Sequence, residues 1–175
     1  LSGGGDWGAF GAGFLVGWGE VTEPGMRRPD FDIVSGVSTG ALIAPFAFAG
    51  ADEDYLRVER LYRHPEADWA RLRDWFVWLP GRLSFMEIPG LERDLQKAID
   101  EDMTRRIAAR SAEGRLLVVG ATNLDMGRIT VLDVGEPAEQ AVAAAADGGA
   151  APDLRALLLA SSSIPAAFPP VSIGD

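Results

Sequence analysis

The chain has 175 residues, of which 47% are apolar and 24% charged, a balance typical of one globular domain and unlike collagen or disordered chains. The formal net charge of -10 disfavours sequence-independent binding to nucleic acid, whose phosphates require basic residues. Cysteine is absent, which excludes disulfides and thiolate metal sites. His64 is the single histidine, so a metal ion would depend on carboxylates alone, and we expect neither a metal nor a cofactor.

Both ends of the sequence predict that the chain is part of a larger domain. Leu1 and Ser2 lead directly into a run of glycines, and an apolar stretch has barely begun when the sequence reaches Asp175. We therefore expect a strand ahead of the glycine run and another strand after Asp175. The sequence leaves the localisation open.

Hydrophobic periodicity predicts alternating strands and helices. The apolar run at residues 36–51 predicts a buried helix, and its short length and Pro45 argue against a membrane span. The alanine-rich segment 136–151 is either a low-complexity connector or a frayed helix. This alternation favours an α/β fold with a mostly parallel sheet. The other predicted elements are a strand at 31–35, helices at 52–78 (with one break at His64 and Pro65) and 88–109, strands at 116–121 and 128–134, and a helix at 154–161.

The first candidate site is the glycine-rich segment GGGDWG at residues 3–8. Consecutive glycines leave backbone N–H groups free to face an anion, and a following helix N-terminus reinforces that effect. The spacing of Gly3, Gly5 and Gly8 matches the G-x-G-x-x-G dinucleotide fingerprint, so the anion is either a pyrophosphate or an oxyanion formed during acyl transfer. A glycine-rich turn needed only for close packing is the third interpretation.

The second candidate site is the pentapeptide GVSTG at residues 36–40, which lies between a predicted strand and a predicted helix. This is the context of the G-x-S-x-G nucleophile elbow, in which a sharp turn projects the serine at a helix N-terminus. Gly36 and Gly40 fit that turn because a Cβ at either position would be crowded. Ser38 is therefore the candidate nucleophile, although a five-residue match also arises by chance.

A serine hydroxyl needs a base to remove its proton. His64 lies in a polar segment at a predicted helix break, which is more typical of a solvated surface residue. A Ser-His-Asp triad would thus need a histidine beyond Asp175, and the alternative is direct activation by a carboxylate in a Ser-Asp dyad.

Four ordered blocks resemble the patatin-like phospholipase domain, most closely its bacterial type: residues 1–13, 31–48, 118–128 and 157–171. The resemblance implies a three-layer α/β/α fold and a lipid acyl hydrolase with a Ser-Asp dyad and no histidine. It also implies that the first block is the oxyanion loop. Its N–H donors would come from Gly3, Gly4 and Gly5, joined by the N–H of Thr39.

Two departures from the family pattern affect the site. Many relatives carry Arg or Lys where this chain has Asp6 and Trp7, which leaves the headgroup preference open. The family's aspartate lies in a D-G-G or D-G-A block after the S-x-x-P-x-x-F-P-P segment, which corresponds to residues 162–170. Asp147 begins a D-G-G triplet but precedes that segment, so we interpret the triplet as a coincidence and expect the catalytic aspartate beyond Asp175.

The sequence contains less specific evidence about how a substrate reaches the site. Residues 68–79 contain three tryptophans and two arginines and are either an interfacial segment that touches a membrane surface transiently or a helix that packs into the core. The negative net charge favours a neutral or zwitterionic lipid ester as substrate.

Two other classes of function compete with the lipid acyl hydrolase. A dinucleotide-binding module would need an acidic residue at the end of the second strand, and Asp30 and Asp32 have the right separation but precede residues 33–35 of the predicted strand. The third class is a non-catalytic interaction domain that retains the fold.

Overall fold

The computed structural model describes residues 1–65, 68–72 and 84–173. A 3-10 turn at Gly5–Trp7 precedes the first helix. The helices are α1 (Gly8–Gly19), α2 (Thr39–Ala49), α3 (Asp52–Arg63), α4 (Pro89–Ala98), α5 (Glu101–Ala112), α6 (Gly135–Asp147) and α7 (Leu154–Ser162). The strands are β1 (Ile33–Val37), β2 (Arg71–Leu72), β3 (Met86–Glu87), β4 (Leu116–Asn123) and β5 (Arg128–Asp133).

A three-stranded sheet in the order β1-β4-β5 carries the fold. Strands β1 and β4 are parallel, with Val37 opposite Gly120, whereas β4 and β5 are antiparallel across a tight turn. On the other side of β1, the Leu1 nitrogen donates to the Ser35 carbonyl at 2.7 Å, and the Leu1 carbonyl accepts from the Val37 N–H at 3.2 Å. The predicted α/β class is confirmed, and the sheet is mixed.

Helix α2 is the centre of the hydrophobic core, and it confirms the predicted buried helix. Every residue from 40 to 49 is buried, including Pro45, and the helix packs on β1, α5 and α7. Phe46 and Phe48 are 1% and 0% exposed. Burying a side chain of that size contributes about 1.5 to 3 kcal/mol relative to leaving it in water. The core therefore fixes α2, and with it the loop that enters α2 from β1.

The predicted helix over 52–78 is wrong at residues 68–72, after the break at His64. Helix α3 ends at Arg63, and residues 68–72 form a turn and β2 instead of continuing the helix. The reason is a tertiary contact, because the Trp69 ring meets the Tyr62 ring of α3 edge to face, with centroids 5.7 Å apart. The remainder of that prediction, residues 73–78, lies outside the described residues.

Two further helices differ from the prediction. The helix expected over 88–109 is divided into α4 and α5, because the Asp100 side chain accepts the Met103 N–H at 2.9 Å and caps a new helix. The alanine-rich segment is a regular helix, α6, whose Ala138 and Ala141 are buried. Small side chains allow α6 to pack closely against α5. The strands β4 and β5 and helix α7 lie where they were predicted.

Candidate active site

The connection from β1 to α2 is a sharp turn centred on Ser38. This residue has φ 55° and ψ -124°, a region that non-glycine residues rarely occupy and that costs about 1 to 3 kcal/mol. A Cβ on Gly36 would lie 2.4 Å from the Gly40 carbonyl oxygen, so neither chain segment has room for a side chain there. The turn thus brings Ser38 to the N-terminus of α2.

The glycine-rich loop lies beside this serine. A Cβ on Gly3 would be 2.9 Å from the Ser38 Cβ and 3.6 Å from the Ser38 Oγ. The N–H groups of Gly3, Gly4 and Gly5 make no hydrogen bond to any described residue, and they are exposed. Gly5 has φ 57°, which sets the turn into the 3-10 segment before α1. Gly3 therefore places the start of the glycine loop against Ser38.

Thr39 follows the serine as the first residue of α2. Its N–H lies in the first turn, where no carbonyl of the same helix can accept it, and where the helix dipole favours negative charge. Its hydroxyl is buried without a hydrogen-bond partner among the described residues. The Thr39 carbonyl accepts the hydroxyl of Tyr62 at 3.2 Å, and burial raises the pKa of that phenol well above its usual range.

Two serines at the end of α7 hold the main chain of the turn. The Ser161 hydroxyl accepts the Ser38 N–H at 3.0 Å. The Ser162 hydroxyl lies within donor distance of two carbonyl oxygens, that of Ser38 at 3.2 Å and that of Leu158 at 3.1 Å. The sequence pattern gave these serines no role, because the contacts span more than a hundred residues. A cluster of three serines, separated from Pro165 by one residue, was the available signal.

The sequence that forms this site is similar to that of a known protein family. The chain matches the family model of the patatin-like phospholipases over residues 1–175. It belongs to the patatin-like phospholipase family. Domains of this family are lipid acyl hydrolases, which supports an enzyme that acts on lipids. No curated protein and no solved structure matches the chain significantly.

Within the described part of this patatin-like domain, neither His64 nor Asp147 forms a hydrogen bond with Ser38. His64 is exposed at the C-terminal end of α3. Asp147 is exposed at the last turn of α6 and makes no hydrogen bond or ion pair with a described residue. Asp175 lies outside the described residues. The Ser38 Oγ itself has no hydrogen-bond partner among the described residues.

The acidic residues considered for a dinucleotide have structural partners. Asp30 forms ion pairs with Arg110 at 2.5 Å and with Arg115 at 2.8 Å. Desolvation alone would raise the pKa of Asp30, but the hydrogen bonds and charges of these two guanidinium groups hold it below the ordinary value. The Asp32 carbonyl accepts the Leu116 N–H at the start of β4. These contacts tie the segment before β1 to α5 and β4 of the patatin-like domain and give no support to a ribose site.

Of the three tryptophans in residues 68–79 of this patatin-like chain, Trp69 is the one within the described residues. Trp69 is half-buried, and its N–H donates to the buried carboxylate of Asp94. Trp69 therefore packs toward the core as one interpretation expected, but it does so from a turn and not from a helix. Trp75 and Trp78 lie outside the described residues. None of the helices in the described part of the chain has both the length and the apolar character needed to cross a bilayer.

Across residues 1–65, 68–72 and 84–173, no three carboxylate or imidazole side chains are grouped closely enough to hold an ion.

Proposed function

We propose that this patatin-like chain is a serine acyl hydrolase that cleaves lipid esters, with Ser38 as the nucleophile. One observation carries the proposal: the glycine loop packs directly against Ser38. A Cβ added to Gly3 would lie only 2.9 Å from the Ser38 Cβ. A nucleophile at a helix N-terminus beside unpaired backbone N–H groups is the arrangement that acyl transfer requires. The family supplies the substrate class, a lipid ester.

The proposed reaction has two steps. The Ser38 Oγ attacks the ester carbonyl carbon and gives its proton to a base, while the carbonyl oxygen takes the negative charge. The N–H groups of Gly3, Gly4, Gly5 and Thr39 are the proposed donors to this oxyanion, and one such donor is worth about 2.7 to 4 kcal/mol of barrier. The ester C–O bond then breaks, the alcohol leaves with a proton, and water hydrolyses the acyl-enzyme to a fatty acid and free serine.

The base in this proposal is an aspartate, in a Ser-Asp dyad. We place it in an Asp-Gly block beyond Asp175, as the order of the family's blocks implies. The exposed position of Asp147 at the end of α6 supports leaving that residue out of the dyad. The exposed position of His64 likewise supports a dyad over a triad.

The finer architecture in this proposal is a three-layer α/β/α domain with a mostly parallel sheet. Helices α2 and α7 pack on one face of the sheet. Along β1 and β5 the opposite face is apolar and open, with Ile33, Val37, Ile129 and Val131 between 50% and 79% exposed. An apolar face of this extent favours coverage by a second layer of helices. Residues 1–175 are then part of the whole domain.

The proposed substrate is a neutral or zwitterionic ester, since the net charge of -10 opposes attraction to anionic lipid surfaces. We expect transient contact with a membrane surface when the ester is a membrane lipid. Release of fatty acid from zwitterionic phospholipid vesicles, compared with anionic vesicles, tests this preference.

A fluorophosphonate probe tests the nucleophile directly. The probe is applied to the protein with the proposed Asp-Gly block present, because that block holds the base. It should attach to Ser38, as located by peptide mass spectrometry, and the Ser38→Ala variant should not be labelled. Ser35→Ala is the matched control, because Ser35 is an exposed serine of β1 and should leave labelling unchanged. Retention of NAD(P) without labelling would instead support a dinucleotide module, and neither result would support an interaction domain.

A further inference from the structure

The parallel ladder between β1 and β4 determines where the Ser38 N–H would bond. The Leu116 N–H donates to the Asp32 carbonyl at 2.9 Å, and the register continues without interruption to Val37 opposite Gly120. In a parallel pair with this register, alternate residues of β1 donate to β4. If the ladder continued, its next bond would join the Ser38 N–H to the Gly120 carbonyl.

The hydroxyl of Ser161 is inserted into this position of the ladder. It accepts the Ser38 N–H at 3.0 Å and donates to the Gly120 carbonyl at 2.6 Å. A hydroxyl can accept and donate at the same time, so one side chain bridges the strand that turns away and the strand that continues. The end of α7 is thus connected to the end of β1 through a single oxygen.

This bridge acts on the most strained residue of the site. Ser38 keeps its φ of 55° only if the surroundings hold it there. Its carbonyl is fixed by the Ala41 N–H at 2.8 Å, within the first turn of α2. Its N–H has Ser161 as its partner, and without that hydroxyl the N–H would lose the acceptor that matches the turned conformation.

We propose that Ser161 is a positioning residue that holds the main chain of Ser38 in the conformation needed for nucleophilic attack. The inference rests on the proposed function of Ser38, since a positioning role requires a nucleophile. It also gives the Ser38 N–H a structural role. Because this N–H donates to the Ser161 hydroxyl, the proposed oxyanion depends on the glycine loop and on the N–H of Thr39.

Three variants in one serine cluster test the proposal. Ser161→Ala removes the bridge, and Ser161→Thr keeps the hydroxyl as the conservative rescue. Ser163→Ala is the matched control, because among the described residues the Ser163 hydroxyl bonds only to the Leu159 carbonyl, at 2.8 Å. The readouts are the rate of fluorophosphonate labelling at Ser38, hydrogen exchange of the Ser38 amide, and the urea midpoint of unfolding.

We expect Ser161→Ala to slow labelling about tenfold or more, the effect of losing about 1.4 kcal/mol in the transition state. Exchange of the Ser38 amide should accelerate by a similar factor, since its acceptor is gone. Ser163→Ala should match the parent in both, and Ser161→Thr should lie within about threefold of it. A change confined to the urea midpoint, with labelling and exchange like the parent's, would overturn the proposal.

The outcomes separate this inference from the proposed function. If the parent protein, with the proposed Asp-Gly block present, is not labelled at Ser38, the nucleophile assignment and the positioning role fail together, while amide exchange still decides whether the bridge exists. If the parent is labelled and Ser161→Ala is labelled at the same rate, only the positioning role fails. Should Ser161→Ala not fold, the Ser38 amide of the parent is measured alone: slow exchange with full activity of Ser161→Thr supports the bridge, and fast exchange overturns it.

Discussion

Gly3 lies directly against Ser38, although they occupy opposite ends of the segment that contains α1 and β1. A Cβ on Gly3 would meet the Ser38 Cβ at 2.9 Å and the Val37 carbonyl oxygen at 3.1 Å. Real Cβ atoms essentially never approach other heavy atoms to 2.9 Å, so a side chain here would force one of the two segments to move. The separation between the glycine loop and the serine hydroxyl is therefore set by the absence of a side chain at position 3.

Gly3→Ala should disturb the site more than the fold. The added methyl group pushes the exposed loop away from Ser38, and displacements of about 1 Å near a reacting centre lower rates by up to roughly a hundredfold. We expect fluorophosphonate labelling of Ser38 to fall at least about tenfold while the free energy of unfolding changes by less than about 1 kcal/mol. Ser2→Ala, on the neighbouring exposed residue, is the control. Parent-like labelling of Gly3→Ala would show that the loop does not approach the nucleophile.

Gly36→Ala should instead destabilise the protein. The new Cβ would lie 2.4 Å from the Gly40 carbonyl oxygen and 2.7 Å from the Ala41 nitrogen, both backbone atoms that cannot rotate away. Overpacking of this kind costs about 1 to 3 kcal/mol, measured as a loss in the urea-derived free energy of unfolding.

Gly13→Ala is the matched control for that prediction. Gly13 is an exposed residue of α1, and a Cβ there would meet nothing within 4 Å. Because alanine is a better helix former, this variant should gain about 0.5 to 1 kcal/mol. Equal stability of the two variants would contradict the crowding at the turn.

The turn at Ser38 could be predicted from sequence because its residues encode its conformation locally. Glycines two positions on either side of a serine, between an apolar strand and an apolar helix, fix where the chain turns. Strand β1 lies two residues later in the chain than predicted, at Ile33–Val37 instead of 31–35. The sequence pattern ended it at Ser35 because glycine is a poor strand former, whereas Gly36 and Val37 continue the ladder with Val119 and Gly120.

Other features could not be predicted because distant residues decide them. The chain after Arg63 has helical periodicity, yet Trp69 packs on Tyr62 and its segment forms a turn. The Ser161 bridge depends on a contact between residues 123 positions apart. Local periodicity carries no information about such contacts, which arise only when α7 docks on β4.

Gly8 and Tyr62 should be energetically coupled. A Cβ on Gly8 would lie 2.7 Å from the ring carbons and the hydroxyl oxygen of Tyr62, which is held by its bond to the Thr39 carbonyl. We expect Gly8→Ala to lower the free energy of unfolding by about 1 to 2 kcal/mol in the parent chain. In a Tyr62→Ala background the same change should cost little, because the clashing ring is absent.

A double-mutant cycle by urea denaturation measures this coupling. The expected interaction energy between the two substitutions is about 1 kcal/mol or more, as for residues in direct contact. Gly17→Ala, at an α1 position where a Cβ would be in open space, provides the uncoupled pair with Tyr62→Ala. Strict additivity of Gly8→Ala and Tyr62→Ala would contradict the packing of α1 against α3.

The carboxylate of Asp100 gives the fold a dependence on pH. It accepts the Met103 N–H at 2.9 Å at the start of α5 and forms an ion pair with Arg57 at 2.8 Å. Desolvation alone would raise the pKa of Asp100, but these two partners lower it below the ordinary value of 3.8. A lowered pKa in the folded state means that the stabilisation is complete above the unfolded value and is lost as the pH falls through the folded value.

Asp100→Ala should therefore reduce the free energy of unfolding by about 1 kcal/mol at neutral pH, through the lost helix cap. The difference between the parent and the variant should shrink as the pH is lowered below the ordinary carboxylate pKa, because the parent's carboxylate becomes protonated and its cap weakens. Urea titrations at a series of pH values measure this difference. Glu101→Ala changes the next residue, which is not the N-cap. Its free energy of unfolding should differ less from that of the parent, and the difference should vary less with pH. A gap between Asp100→Ala and the parent that persists unchanged into acid would assign the cap's stabilisation to the shape of the side chain instead of its charge.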